Sequence, residues 1–117
     1  MGAEQLKTRT KAFGISIIKI TQLLPDRDPA RTIGQQLIRC GTSVGANFRS
    51  ACRARSHLDF IAKLKIVEEE CDESVYWLEL LDVLNLKIAP SIKALIDEAN
   101  QILSIIVASI KTARNNS

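Results

Sequence analysis

The acidic run in the middle of the chain is the segment whose residue types could most readily do chemistry. Its five carboxylates belong to Glu68, Glu69, Glu70, Asp72 and Glu73. Di-iron helical bundles combine such carboxylates with Glu-x-x-His pairs on two helices, but this chain has a single histidine, His57. We therefore interpret the run as a solvated helix face, with Lys63 and Lys65 at helical spacing for ion pairs, and His57 as a surface turn residue. No catalytic residue, metal ligand or cofactor is predicted, so we expect a non-enzymatic protein.

The cysteines indicate a reducing environment. Cys40, Cys52 and Cys71 are odd in number and form no C-x-x-C pair. All three fall within predicted helices, which favours buried, reduced thiols over disulfides or metal ligands. The N-terminal residues lack the apolar core of a secretory signal, and the longest apolar run, 102–110, is too short to span a bilayer. We expect a cytoplasmic protein with no membrane partner.

The elements that must position these residues are helices. The 117 residues are 46% hydrophobic, with five aromatic residues and eight that are Gly or Pro, which is typical of a helical bundle. Apolar residues recurring at helical spacing predict four helices, at about 4–24, 29–54, 57–86 and 90–113. Short connections between them imply one all-α domain, 1–117, folded as an antiparallel up-down-up-down four-helix bundle.

Local signals predict where the helices begin and end. Pro25 should end the first helix, and Asp28 should cap the second, with Pro29 at its first position. Ser56 begins the third helix with a capping-box-like sequence, and Pro90 opens the fourth. The predicted buried stripes are Phe13, Ile17, Ile20 and Leu24, then Ile33, Leu37, Val44 and Phe48, then Phe60, Leu64, Val67, Cys71, Val75 and Leu78, and finally Ile92, Leu95, Ala99, Ile102, Ile106 and Ile110.

Three helices carry more apolar surface than one stripe needs. Apolar side chains at 102–110, including Ile105, cover an arc of about 200°, against about 100° for an ordinary amphipathic helix. Trp77 and Leu81 widen the third helix in the same way. The surplus could thicken a monomer core, but we favour a subunit interface because exposed apolar patches of that size usually indicate association.

The second helix carries a strip of small and polar residues that includes Ser43 and Asn47. Two interpretations stay open. The strip could allow tight packing inside the bundle, with Asn47 hydrogen-bonded to a neighbour, or it could form a groove for a partner. Packing is the simpler interpretation.

The predicted topology gathers positive charge at one end of the bundle, formed by segments 1–11, 49–65 and 111–117. The bases in these segments are Lys7, Arg9, Lys11, Arg49, Arg53, Arg55, Lys63, Lys65, Lys111 and Arg114. The acids are Glu4 and Asp59, giving +10 − 2 = +8, whereas the whole chain carries +3. Multiplied in a homo-oligomer, such an end would attract nucleic-acid phosphates through counterion release. The alternative is a solvated surface that packs against the acidic remainder.

Three segments carry a family resemblance: G-T-S-V-G-A-N-F-R at 41–49, A-R-S-H-L-D-F-I-A-K-L at 54–64 and E-E-E-C-D-E-S-V-Y-W-L-E-L-L at 68–81. They resemble the bacterial four helix bundle proteins, also called 23S rRNA intervening sequence proteins, over about residues 6–110. The resemblance implies an antiparallel bundle assembled as a pentameric ring. A related branch contains the accessory protein of diversity-generating retroelements, a basic pentamer that binds nucleic acid and its reverse transcriptase. The chain departs from the family at Ser50, where an acidic residue usually follows N-[FY]-R. The resemblance supplies no catalytic residues.

Two functional hypotheses follow. The first is a nucleic-acid-binding adaptor, a homo-oligomer (a pentamer by resemblance) that contacts RNA or DNA and a nucleic-acid enzyme. The second is a protein–protein interaction scaffold that binds no nucleic acid. The charge pattern favours the first. The only aromatic residues near the basic end, Phe48 and Phe60, belong to predicted core stripes, which favours the second and predicts backbone-dominated binding with weak sequence preference if nucleic acid is bound.

Overall fold

The computed structural model describes residues 1–84 and 86–116, and their regular secondary structure consists of helices. The elements are α1 (Ala3–Thr21), α2 (Ala30–Cys52), α3 (His57–Val83) and α4 (Ala89–Asn115). The prediction of an all-α four-helix bundle is confirmed, and each helix boundary lies within three residues of its predicted position. None of the described helices contains a segment both long and apolar enough to cross a bilayer.

The helices pack side by side in chain order, in a particle measuring 47 × 20 × 20 Å. α2 packs between α1 and α3, α3 packs on α4, and α1 contacts α4 much less. At one end of the molecule, His57 at the start of α3 lies against Ala113 near the end of α4. At the other end, Asp82 near the end of α3 pairs with Lys93 near the start of α4. The start of α3 therefore contacts the end of α4, and the end of α3 contacts the start of α4.

The core is built from the predicted stripes with two corrections. All the residues predicted for the α2 and α4 stripes are buried. In α3, however, Phe60 is half-buried and the neighbouring Ile61 takes its place in the core. Leu24, assigned to the stripe of the first helix, is half-buried because it lies beyond the end of α1. The stripes thus describe the core well except near helix ends.

The start of α3 follows the predicted chemistry, whereas the start of α2 departs from it. Ser56 caps α3, its Oγ accepting a hydrogen bond from the amide of Asp59 at 3.1 Å. The predicted start of the second helix was wrong by one residue, since Pro29 occupies the N-cap position of α2. Asp28 Oδ1 nevertheless accepts hydrogen bonds from Thr32 N at 3.1 Å and Thr32 Oγ1 at 2.5 Å.

The other departures concern helix length. α1 ends at Thr21 rather than Leu24, and a turn follows. α3 ends at Val83, capped by Leu84, whereas the predicted helix continued to Leu86. Two predicted positions, Asn85 in that helix and Ser117 in the C-terminal basic segment, lie outside the described residues.

Glycines allow α1 and α2 to approach closely. A Cβ on Gly41 would lie 2.9 Å from Cγ1 of Ile17, and one on Gly45 would lie 3.2 Å from the backbone oxygen of Thr10. Any side chain at these positions would push the helices apart. The close contact makes the floor of a long surface groove between α1 and α2.

Candidate nucleic-acid interface and charged grooves

Part of the predicted basic end lies where the turn between α2 and α3 meets the end of α4. His57 Nε2 lies 2.6 Å from the carbonyl oxygen of Ala113, which joins the two elements. Arg53 and Arg55 on the turn are exposed, as is Lys111 in the last turns of α4. We call the surface formed by Arg53, Arg55, His57 and Lys111 the end surface.

A second group of predicted bases lies along the groove between α1 and α2, whose volume is about 510 Å³. Lys7 and Lys11 line it from α1, and Arg49 and Arg53 line it from the end of α2. Glu4 is the acid in this lining, so the groove carries +4 − 1 = +3. Lys7 bonds Glu4 at 3.0 Å. We call this the basic groove; Arg53 stands where it meets the end surface.

Besides Lys7, two of the predicted bases are held by carboxylates of the chain. Arg9 donates to both carboxylate oxygens of Glu98, from Nε at 2.8 Å and from Nη2 at 2.7 Å, and also to Gln101 at 2.7 Å. The bonds to Glu98 raise the pKa of Arg9 above its ordinary value, and together these contacts tie α1 to α4. Lys63 pairs with Asp59 at 3.0 Å, a bond that lowers the pKa of that carboxyl. Arg9 and Lys63 therefore have structural partners.

The remaining bases lie beside acidic residues on the α3–α4 side. Lys65 lines a groove of about 410 Å³ together with Glu68, Glu69, Asp72, Leu103 and Val107. This lining carries +1 − 3 = −2, and we call it the acidic groove. A neighbouring hollow brings Glu68 beside Arg114 and also beside Lys111, which belongs to the end surface as well. The ten predicted bases thus do not form one cluster: the structure divides them among the end surface, the basic groove, the two ion pairs and the margin of the acidic groove.

The acidic run is divided in the same way, because its members face different helices. Arg39 of α2 lies 3.5 Å from Oε2 of Glu70 and pairs closely with Glu73. Trp77 Nε1 also donates to Glu73, at 2.9 Å. Burial raises the pKa of Glu70 above its ordinary value. The expected pairing of the run with Lys63 and Lys65 is therefore corrected, since Arg39 binds two of its members and Lys63 binds Asp59. In the described part of the chain no group of His, Cys, Asp and Glu side chains is arranged to hold a metal ion.

The candidate packing residues differ in their exposure. Ser43 donates to the carbonyl of Arg39 at 2.6 Å, and Asn47 donates to the carbonyl of Ser43 at 2.8 Å. Both bonds lie within α2, so Asn47 does not bond a neighbouring helix as expected. Trp77 and Ile105 are half-buried against the core, while Leu81 is fully buried within it. Leu81 therefore belongs to the core of one chain and offers no surface to a partner.

The three cysteines are free. Cys40 and Cys71 are buried, and burial raises the pKa of Cys71 to about 12. Cys52 is half-buried, so the expectation of three buried thiols holds for two of them. A thiol with so high a pKa carries almost no thiolate near neutrality and is a poor nucleophile, which fits a packing role for Cys71.

Sequence reasoning missed the basic groove as a feature separate from the basic end. A signal for it was available, since Lys7 and Lys11 are four residues apart, as are Arg49 and Arg53. That spacing places each pair on one helix face. It also missed the ion pair between Arg9 and Glu98, for which the sequence offers no signal because the partners lie 89 residues apart.

Comparison with known proteins assigns the chain to a family. The family described as 23S rRNA-intervening sequence protein matches residues 4–108. A similar solved structure is that of a protein with unknown function from the S23 ribosomal protein family of Bacteroides thetaiotaomicron. It is 31% identical, has a TM-score of 0.83, and the alignment covers 91% of this chain and 98% of that one. No curated protein matches. The family matches nearly the whole length of the chain, and the similar structure has the same helical architecture. This chain therefore belongs to the 23S rRNA-intervening sequence protein family.

Proposed function

We propose that this chain is a non-enzymatic adaptor that assembles as a ring of antiparallel up-down-up-down bundles and binds nucleic acid through its end surface. The contacts that join each end of α3 to the opposite end of α4 support the topology. The resemblance to pentameric relatives supports a homopentamer, which would act in the cytoplasm on RNA or DNA together with a nucleic-acid enzyme.

The observation that carries the nucleic-acid proposal is the exposure of cations on two elements that meet at one end. Arg53 and Arg55 come from the turn, and Lys111 comes from α4. Within the described residues, no ion pair engages the side chain of Arg53 or Lys111. Exposed cations of this kind displace the counterions that nucleic-acid phosphates hold, and the release of these counterions supplies most of the non-specific affinity.

The aromatic side chains near this surface predict the form of binding. Phe48 is buried, and Phe60 is half-buried against the core. Phe48 therefore offers no face for base stacking, which is the usual contact in single-strand binding, and burial limits the stacking surface of Phe60. Phosphate contacts position a protein on nucleic acid but do not specify sequence, so the proposed binding is strong at low salt and weakly selective.

The test compares two double charge reversals that change the net charge equally. Arg55→Glu/Lys111→Glu alters the end surface, whereas Arg27→Glu/Lys87→Glu alters exposed positions in the connections at the opposite end of the bundle. Affinity for labelled RNA and DNA is measured by fluorescence anisotropy over a range of salt concentrations. Light scattering confirms that assembly is unchanged, because loss of a ring would also remove multivalent binding.

For the parent, the logarithm of the affinity should fall linearly with the logarithm of salt concentration. The end-surface variant should bind every sequence more weakly, with a shallower salt slope by about one unit per lost contact, and the control should match the parent. Equal affinity for the parent and the end-surface variant would refute the proposed site. No binding by the parent at low salt would refute the nucleic-acid function altogether.

A second candidate function, the protein–protein scaffold, is favoured by apolar surface at the same end. A groove of about 560 Å³ there is lined by Met1, Phe60 and Ile105 among others. Leu58, on the first turn of α3, is 77% exposed. Phosphates gain nothing from such side chains, whereas protein partners do. A parent that binds no nucleic acid at low salt would leave this function as the better supported one.

A further inference from the structure

The two grooves defined above carry opposite charges and similar apolar contacts. The basic groove has Ile15 and Ile18 in its lining, 44% and 40% exposed. The acidic groove has Leu103 and Val107 in its lining, and Val107 is 45% exposed. Each therefore combines exposed aliphatic side chains with charged neighbours, which is the composition of a protein interface with an apolar centre and a polar rim.

Each groove holds charges that the chain leaves unpaired, although Lys7 and Glu4 in the basic groove pair with each other. Arg9, Arg39 and Lys63 each find a carboxylate within the bundle. By contrast, Lys11 and Arg49 in the basic groove, and Glu69 and Asp72 in the acidic groove, form no ion pair with any described residue. Folding of one chain thus leaves two complementary sets of exposed charges.

One chain cannot bring the two sets together. The basic groove lies between α1 and α2, and the acidic groove lies between α3 and α4. In the described residues α1 does not pack on α3, nor α2 on α4, so these are diagonal helices and the grooves lie on opposite sides of the bundle. A second copy of the chain can present its acidic groove to the basic groove of the first.

We propose that the acidic groove of one copy docks on the basic groove of the next, forming the head-to-tail contact of the assembly. This inference rests on the proposed homo-oligomer and names the surfaces that form it. Glu69 and Asp72 of one subunit approach Lys11 and Arg49 of the other, and Val107 packs near Ile15. Burying these aliphatic groups removes apolar surface from water and stabilises the contact, a gain that a phosphate backbone in the same groove would not provide.

The shape of the bundle favours a closed ring over an open filament. A hollow of about 510 Å³ lies between α1 and α4, lined in part by Arg9 and Gln101, and the long side chains of Arg9 and Glu98 span the two helices. On the opposite side α2 and α3 pack closely, with Ser74 Oγ 3.3 Å from Cys40 Sγ. The bundle is thus wider on the α1–α4 side than on the α2–α3 side. Head-to-tail contacts between the sides of a wedge turn successive copies in one direction, and a consistent rotation can close the assembly.

Complementary charge reversals test the contact. Lys11→Glu/Arg49→Glu disables the basic groove, Glu69→Lys/Asp72→Lys disables the acidic groove, and Lys19→Glu/Lys87→Glu is the control at exposed positions outside both. Mass is measured by light scattering, and helix content by circular dichroism. The control should have the mass of the parent, whereas each groove variant alone should fall toward the single-chain mass of 13.0 kDa. An equimolar mixture of the two groove variants should recover the larger mass, because each supplies one intact surface and the reversed surfaces are complementary.

The outcomes separate this inference from the proposed function on which it rests. A parent of 13.0 kDa would refute assembly itself. An oligomeric parent with groove variants of unchanged mass would refute only the proposed contact. Failure of the mixture to recover mass would also overturn the contact. If Lys11→Glu/Arg49→Glu lost RNA affinity at unchanged mass, the basic groove would be assigned to nucleic acid and the contact would again be refuted.

Cysteine cross-linking provides a test that does not depend on reversing charges. In a Cys52→Ala background, Ile15→Cys combined with Val107→Cys should yield covalent multimers when copper–phenanthroline is added as oxidant. Either cysteine alone should yield single chains, because a head-to-tail contact does not place a residue against its own copy. Absence of multimers in the combined variant, or dimers from one cysteine alone, would refute the contact.

Discussion

Replacement of Gly41 by alanine should destabilise the protein even though alanine is the better helix former. The added Cβ would lie 2.9 Å from Cγ1 and 3.0 Å from Cγ2 of Ile17. Ile17 is fully buried, and its branched Cβ leaves it few rotamers, so it cannot turn away. Relief requires α1 and α2 to separate, and such overpacking costs about 1–3 kcal/mol. Alanine returns about 1 kcal/mol of helix propensity. We expect a net loss of about 1 kcal/mol and at most about 2 kcal/mol.

Gly14 provides the matched control on the facing helix. A Cβ there would lie 3.6 Å from the Cα of Thr42, its nearest neighbour, which is ordinary van der Waals contact. Gly14→Ala should therefore keep most of the propensity gain and stabilise the protein by about 0.5–1 kcal/mol. The same substitution at two positions of one helix contact is thus expected to have opposite signs.

The assay is urea unfolding followed by far-ultraviolet circular dichroism. All variants are measured at one protomer concentration, because the apparent stability of an oligomer depends on concentration, and mass is checked before unfolding. Changes of the same sign at Gly14 and Gly41 would refute the argument, since they would show that the distance between α1 and α2 does not decide the outcome.

Two further predictions concern a buried leucine and a buried carboxyl. Leu64 is fully buried in α3, and Leu64→Ala should lower the free energy of unfolding by about 2–5 kcal/mol. Glu79→Ala, at an exposed position of the same helix, should change it by about 0.5 kcal/mol or less. Thermal melts that rank the two variants in the reverse order would contradict the register of α3. Burial raises the pKa of Glu70 above its ordinary value of 4.5, so the folded state binds the proton more tightly than the unfolded state does. The carboxyl therefore favours folding most below pH 4.5, and that contribution is lost as pH rises through the folded-state pKa. Glu70→Gln should be more stable than the parent at neutral pH, with an advantage that shrinks as pH falls through this window; an advantage that grows on acidification would refute the burial argument.

The core could be predicted from the sequence because apolar periodicity reports burial directly. In α4 all six predicted residues are buried, since they keep helical spacing from Ile92 to Ile110. The error at Phe60 arises because Phe60 and Ile61 are adjacent and both apolar. They point about 100° apart on a helix, and only the orientation of α3 against its neighbours decides which of them faces inward.

Pro25 ends α1, as the sequence predicted, but it ends the helix at Thr21 and not at Leu24. Pro25 has no amide hydrogen to bond the carbonyl four residues earlier, and its ring clashes with that carbonyl. The carbonyl belongs to Thr21, where α1 ends. Leu23 and Leu24 continue the apolar pattern beyond that point, which is why periodicity alone extended the helix.

The charge distribution could be predicted only as a sum. The value of +8 for the basic end counted formal charges, and it gave equal weight to Arg9, bonded to Glu98, and to Arg55, exposed on the turn. Ion pairs between distant segments leave no periodic trace in the sequence. The division of the bases among an end surface, a groove and internal ion pairs therefore depends on three-dimensional packing, and that division separates the proposed assembly contact from the proposed phosphate contact.

These two proposed roles reinforce each other because the basic groove runs along the side of the bundle, whereas the end surface lies at its end. Arg53 lies where the two surfaces meet. Head-to-tail contacts along the sides leave the long axes of all copies roughly parallel to the axis of a ring. Rotation about that axis then carries every end surface to the same face of the assembly. A single end surface offers few cations and therefore binds phosphates weakly, whereas several surfaces on one face bind a strand together at a high effective concentration. Nucleic-acid affinity would therefore depend on charges in the grooves that never touch a phosphate, because those charges decide how many end surfaces share one strand.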